Sequence, residues 1–294
     1  MLNYLLFIII LTNSGGEGKT TLTLLLRAIL DLAGIDSLAI DADQGNWALK
    51  NRSGEDIATD VLAWAPRPGA AAKIVSKATG KSTLMDTGAN MMAAGQPIGE
   101  LVVELQKRFA DQGYRTAAFI PVSPNKSGAA EGVNILSDRI SDFEKFIVFN
   151  HRDKSGNFGS VRDDIAAIIV SHLQPGLQAY LDQHDWRIAE VLTDPATCST
   201  RASAHVGEWV RSFALDRNVR DLLTPLVCDT AIRCLPNGPA RIRHAIETLA
   251  EASDARIVVF ERHAIILDLI DRFGWSAAGL RTAANAVDAL DALT

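Results

Sequence analysis

Near its start the chain carries an unbroken apolar run, Leu5-Leu6-Phe7-Ile8-Ile9-Ile10-Leu11. Short, β-branched and free of charge, it predicts a strand over 4–12 buried on both faces, as in the middle of a parallel sheet. It is too short to cross a bilayer and lacks a basic flank or a small-residue cleavage site. The pattern then changes period. Leu22, Leu25, Leu26, Ile29, Leu30 and Ala33 recur at helical spacing, and Gly34 is placed to end that helix. Ser37–Asp41 returns to a short apolar strand. Strand, helix, strand within so short a stretch is a βαβ unit, which requires a parallel pair.

The same alternation continues downstream. Ser82–Asp86, Thr116–Pro121 and Phe146–Asn150 read as further strands. Pro97 opens a helix with Ile98, Leu101, Val102, Leu105 and Phe109 on one face, ended by Gly113. A polar loop, Ser123–Lys126, precedes another helix that runs to about Ile140. Residues 47–80 are the least readable stretch: Pro66 and Pro68 break any helix, and Trp47 and Trp64 are read as core. In the second half Arg187–Leu192 and Arg256–Glu261 read as late strands. Pro239 opens a helix with Ile242, Ala245, Ile246 and Leu249 on one face. Leu280, Ala283, Ala284, Val287 and Leu290 stripe a last helix.

Composition narrows the class. Of 294 residues, 48% are hydrophobic and 22% charged, enough apolar material for a large core in one or two domains. A net charge of −6 argues against broad electrostatic binding to nucleic acid. It leaves open a local contact with DNA or an acidic partner through Arg233, Arg241, Arg243 and His244, a cluster whose plainer reading is a solvated helix face. Cys198, Cys228 and Cys234 show no Cys-x-x-Cys spacing and read as reduced thiols in a cytoplasmic protein.

The chemistry concentrates between the first strand and the first helix, at Thr12-Asn13-Ser14-Gly15-Gly16-Glu17-Gly18-Lys19-Thr20-Thr21. Glycines let backbone N–H groups turn onto phosphate oxygens, and a helix N-terminus adds partial positive charge. Gly15, Gly16, Glu17, Gly18, Lys19, Thr20 and Thr21 are therefore the candidate phosphate cradle. Lys19 is placed for the outer phosphates, the Thr20 hydroxyl for Mg²⁺ and Thr21 for the α-phosphate. Asp86, at the end of an apolar strand and followed by Thr87-Gly88, is the candidate second Mg²⁺ ligand, acting through a water. Asp41 and Asp43 stand at the end of the second strand, where open α/β sheets bind ligands. Loop-capping is the plainer role for such aspartates.

The double glycine resembles the deviant phosphate loop of the ParA/MinD family, Lys-Gly-Gly-x-Gly-Lys-Thr, with Ser14 at the family's signature lysine. Asp41-Ala42-Asp43-Gln44-Gly45-Asn46 resembles the family's Asp-x-Asp-Pro-Gln-Gly-Asn, without the proline. The resemblance covers roughly residues 4–155. It implies a P-loop NTPase of SIMIBI type: an α/β fold, a mostly parallel sheet flanked by helices, with a mainly helical C-terminal part. The expected division is a nucleotide-binding domain over 1–200 and a helical part over 201–294, free to pack onto the same domain. The resemblance also implies ATP and Mg²⁺ as ligands, Asp43 as the residue that orients water, and Asn150 as reader of the adenine edge. Asn150-x-x-Asp153 matches a guanine-reading spacing as well, but the neighbouring positions lack the Lys that usually accompanies guanine readers, so adenine is favoured. Capping a turn is the plainer role for Asn150.

Asp86-Thr87-Gly88-Ala89-Asn90 and the Phe149-Asn150 strand end look most like the plasmid-stability and conjugative-transfer branch. Members of the family dimerise on nucleotide and work with a protein partner or DNA-bound adaptor. Ser14 lacks the charge and length of the signature lysine, which implies slow hydrolysis and a different homodimer or no nucleotide sandwich. Three classes of function remain: a cargo-positioning ATPase for plasmid partition or transfer, a nucleotide-binding regulator or scaffold, and a P-loop metabolic synthetase.

Overall fold

The computed structural model describes residues 4–43, 46–52, 61–63, 69–89, 97–140, 142–152, 155–194, 196–198 and 201–236. The first half alternates strand and helix: β1 (Leu6–Ile10), α1 (Lys19–Leu32), β2 (Ser37–Ala42), α2 (Ala48–Arg52), β3 (Val61–Ala63), α3 (Ala70–Ala78) and β4 (Ser82–Thr87). Next come α4 (Pro97–Asp111), β5 (Arg115–Val122), α5 (Ala129–Arg139), β6 (Glu144–Asn150) and β7 (Ala166–Val170). Helices then follow one another: α6 (Pro175–Gln183), α7 (Ile188–Thr193), α8 (Arg201–Ala214), α9 (Arg217–Leu223) and α10 (Pro225–Arg233).

Among the described residues the strands form one seven-stranded sheet in the order β3-β2-β4-β1-β5-β6-β7, with every pair parallel. β1 lies at its centre, and its burial on both sides explains the unbroken apolar run. Leu6, Ile8 and Ile10 enter one core, while Phe7, Ile9 and Leu11 enter the other, as a period of two demands. The second core is closed by α3, α4 and α5, with Phe7 stacked on Phe109 at a ring separation of 4.3 Å. The first is closed by α1 and, outside it, by α7, α8 and α10.

That outer layer changes the reading of α1. The sequence shows one apolar face, yet Leu24, Ala28 and Leu32 are buried as well. A helix covered nearly all round belongs to a core, not a surface. Helices α8–α10 thus share a core with the sheet, and Arg115 at the foot of β5 donates to the Asp221 carbonyl at 2.7 Å.

The structure differs from the sequence reading in three respects. Arg187–Leu192 does not form a strand: α7 is a helix that buries Ile188, Val191 and Leu192, with Ile188 and Leu192, four residues apart, on the first core. A short apolar run satisfies either period, and packing against α1 and α8 selects the helix. The other corrected reading is Trp47, which is half-buried, with φ at 45°, instead of lying in a core. A third difference is one of omission: strands β3 and β7 and helix α6 have no counterpart in the sequence reading. The helices begun at Pro239 and spanning Leu280–Leu290, the strand Arg256–Glu261, Trp64, and the basic residues Arg241, Arg243 and His244 lie outside the described residues.

Candidate functional site

Strand order decides what meets at the site. β4 lies between β1 and β2, with Ile10 in register with Asp86 and Asp86 in register with Asp41. The phosphate loop leaving β1 and the two acidic strand ends therefore converge on one edge of the sheet. Thr87 ties the edge together, donating from Oγ1 to the Ile10 carbonyl at 2.7 Å.

The loop is held by its own polar side chains. Thr12 Oγ1 donates to the Ser14 carbonyl at 2.6 Å, and Ser14 Oγ donates to Glu17 Oε1 at 2.6 Å. Ser14 is thereby turned into its own loop. Gly18 sits at φ 88°, and a Cβ there would lie 2.2 Å from Asn150 Nδ2, so both backbone and space require glycine. Its carbonyl accepts from Leu22 N at 2.9 Å, opening α1 directly behind the loop.

Lys19, the first residue of α1, is buried, and its Nζ donates to Thr12 Oγ1 at 3.4 Å. Burial pulls its pKa below the usual lysine value, against the opposing pull of Asp86, Asp43 and Glu17. Thr20 faces Asp86 across the loop, its Oγ1 donating to Asp86 Oδ2 at 2.7 Å. Asp86 is only 1% exposed, and its other oxygen, Oδ1, has no hydrogen-bond partner among the described residues. Burial pushes this carboxyl up to about 7, despite the Thr20 hydroxyl and the Lys19 charge that favour its ionised form.

The two aspartates after β2 divide their labour. Asp41 is fully buried and accepts from the backbone N–H of Asp43 at 3.0 Å and of Lys50 at 2.9 Å. It builds the corner that carries the chain into α2, and burial raises its pKa. Asp43 stands beyond that corner, on the wall of the cleft.

The cleft has a volume of about 600 Å³ and runs from Gly15–Thr21 to a wall that sequence reasoning did not assign. Trp186, Trp209, Val170 and Leu173 form its apolar part, and Arg52, Arg152 and Gln178 its polar part. Trp209 donates from Nε1 to the Ser171 carbonyl at 3.0 Å, and Trp186 donates to Asp182 at 2.6 Å. The Arg52 guanidinium lies 4.7 Å from the centre of the Trp186 ring. Asn150 reaches the same cleft, but its side-chain Nδ2 donates to the Glu17 carbonyl at 2.9 Å, which ties β6 to the phosphate loop. No local pattern marks Trp186 or Trp209. Arg152 follows Asn150 by two residues and was legible only as part of a polar strand end.

The donor set fits Mg²⁺. Among the described residues no group of three or more His, Cys, Asp or Glu side chains forms a protein cage. Mg²⁺ does not need one: it keeps waters and phosphate oxygens and takes one or two protein oxygens. Thr20 Oγ1 and the unpartnered Oδ1 of Asp86 supply such oxygens beside the phosphate loop.

The profile of the CobQ/CobB/MinD/ParA nucleotide binding domain matches residues 8–170, more than half of the chain. Among solved structures the chain is similar to the MinC:MinD cell division protein complex of Aquifex aeolicus, with 20% identity over 69% of this chain and 93% of that one and a TM-score of 0.46. It is also similar to the MinD cell division protein of Aquifex aeolicus, with 20% identity, 65% and 92% coverage and a TM-score of 0.44. A third is the septum site-determining protein MinD complexed with Mg-ADP from Pyrococcus horikoshii OT3. It gives 16% identity, 60% and 85% coverage and a TM-score of 0.42. No curated protein sequence matches the chain.

Proposed function

Since this chain belongs to the CobQ/CobB/MinD/ParA nucleotide-binding domain family, we propose that it is a slow, Mg²⁺-dependent ATPase acting in the cytoplasm. The observation that carries the reading is the Thr20–Asp86 pair. A hydroxyl from the first turn of α1 and a buried carboxylate, one of whose oxygens has no hydrogen-bond partner among the described residues, stand at the end of a glycine loop. Left empty, such an oxygen costs free energy; facing a cation, it is satisfied.

In this reading the backbone amides of Gly15, Gly16, Glu17, Gly18 and Lys19 hold the phosphates, and Lys19 neutralises the outer ones. Thr20 and Asp86 hold Mg²⁺, which when bound offsets charge that builds on the phosphoryl oxygens. Thr21 contacts the α-phosphate, and Asp43, on the open wall, orients water. The walls bearing Trp186, Trp209 and Asn150 take the nucleoside. Catalysis of this type is positioning and charge stabilisation. Asp43→Ala should bind ATP as the wild type does while losing turnover, measured as phosphate release alongside calorimetric affinity. Full turnover in that variant removes Asp43 from the mechanism.

We assign the biological setting to plasmid partition or conjugative DNA transfer, in concert with a protein partner or DNA-bound adaptor. The support is the Asp86-Thr87-Gly88-Ala89 segment, the Phe149-Asn150 strand end and the serine at position 14. The nucleotide-binding regulator is the second reading, favoured by Ser14 Oγ being engaged with Glu17 inside its own loop. With that side chain turned inward, ATP should not produce a tight homodimer. Light scattering after size exclusion, with ATP and with ADP, tests this; a dimer formed with ATP alone overturns it.

A further inference from the structure

One residue of the phosphate loop runs against its chemistry. Glu17 is the only acid between Thr12 and Thr21, and it is 1% exposed within a cradle built for anions. Its carboxylate is nevertheless fully engaged. Oε2 accepts from the backbone N–H of Ser123 at 2.6 Å, and Oε1 accepts from Ser14 Oγ at 2.6 Å and from Lys126 Nζ at 2.9 Å. Lys126 comes from the loop after β5, and its ammonium also donates to the Gly15 carbonyl. Two more donors hold the next two carbonyls of the loop. Arg152 Nη1 donates to Gly16 O at 3.2 Å, and Asn150 Nδ2 donates to Glu17 O at 2.9 Å. Three consecutive carbonyls are thus held by three side chains from outside the loop.

In a trans peptide the C=O and the following N–H point in opposite directions, and no cis bond occurs among the described residues. Holding the Gly15, Gly16 and Glu17 carbonyls therefore turns the N–H groups of Gly16, Glu17 and Gly18 away from the three donors. Preorganised amides of this kind bind anions without reorganising first.

We propose that Lys126, anchored by Glu17, is a positioning residue for polyphosphate binding. Its ammonium cancels the one negative charge built into the loop and keeps the Gly15–Gly16 peptide plane oriented. It acts through the loop, not by touching the reacting atoms. Removing it leaves a buried carboxylate unpaired next to incoming phosphates, so the loss should be electrostatic and should be relieved by neutralising Glu17. The proposal rests on the nucleotide-binding reading above, and the probes are chosen to separate the two.

The test measures binding of Mg²⁺-ATP and, separately, of inorganic tripolyphosphate to the full chain by calorimetry. Lys126→Met should weaken both by about 10- to 100-fold, the span expected when a hydrogen-bonded charge is removed. Lys126→Arg should stay near the wild type. Glu17→Gln combined with Lys126→Met should recover most of the loss. Wild-type affinity in Lys126→Met overturns the proposal, whether or not its melting temperature falls. A double variant no better than Lys126→Met overturns it too. If the Glu17→Gln variants do not fold, as judged by circular dichroism, the Lys126→Met and Lys126→Arg pair decides: equal affinities overturn it. If the wild type binds tripolyphosphate but neither ATP nor GTP, the nucleotide reading falls and the series on tripolyphosphate still decides Lys126. If it binds neither probe, both fall.

Discussion

The two ends of the cleft are built on opposite principles. The phosphate end is polar, dense and drawn from one contiguous stretch, Thr12–Thr21, completed by Asp86 and by donors from neighbouring loops. Its groups are charged or hydrogen-bonded, and several are buried. The other end is assembled from α2, the end of β7, the turns around α6 and α7, and α8, and its wall is two indole rings with an arginine over one of them. A preorganised charged site supplies free energy from a few groups in fixed directions. A wall of rings supplies it by area and shape, spread over many contacts. Affinity at the first end should therefore collapse on single substitutions, and at the second it should erode.

Lys19→Ala should have the largest effect. Losing this buried ammonium should cost roughly 3 kcal/mol of binding, as for one preorganised donor, and about equally for ATP and tripolyphosphate. Equal affinity with and without Lys19 would break the comparison outright.

Asp86→Asn comes next and carries a sign. The Asp86 carboxyl, pushed up to about 7, has a folded pKa above its unfolded value of 3.8. The folded state then holds the extra proton between these values, so the stability of the unliganded protein falls as pH rises from about 4 to about 7. Asparagine removes the charge, so this variant should melt higher above pH 7, by on the order of 1–3 kcal/mol, with a flatter pH profile. The same variant should lose the tightening of ATP binding by Mg²⁺. Melts at pH 5 and pH 8, with and without Mg²⁺-ATP, check both parts.

Smallest is Arg52→Ala. Its guanidinium lies on the Trp186 ring, and the contact should be worth about 0.5–1 kcal/mol. ATP affinity should fall a few-fold, while tripolyphosphate binding stays unchanged. Tryptophan emission should respond to ATP and not to tripolyphosphate, and Trp186→Phe should reduce that response. Equal responses to the two ligands would show that the nucleoside does not occupy this wall.

How much of this was legible beforehand follows the same division. β1, the glycine loop and α1 were readable because each is written in neighbouring residues: a run buried on both faces, a backbone conformation only glycine accepts at position 18, and a helical spacing of leucines. Asp86 was legible as the end of a strand. Asp43 was singled out through the family resemblance; the structure adds that it stands on the cleft wall while Asp41 forms a buried corner. Asn150 was expected at the base; its amide is engaged with the phosphate loop. Arg187–Leu192 was misread because six residues do not distinguish a strand from a buried helical turn.

By itself the sequence determined most elements of the first half, the parallel sheet and the place of the phosphate loop. Those rest on periodicity, glycine conformations and chain length, which act over a few residues. Tertiary structure alone decided that Thr20 meets Asp86, that Lys126 closes on Gly15 and Glu17, that α1 is covered on its outer side, and that Trp186 and Trp209 wall the cleft. Such meetings join residues far apart along the chain, and strand order and side-chain packing select them. No local pattern records either.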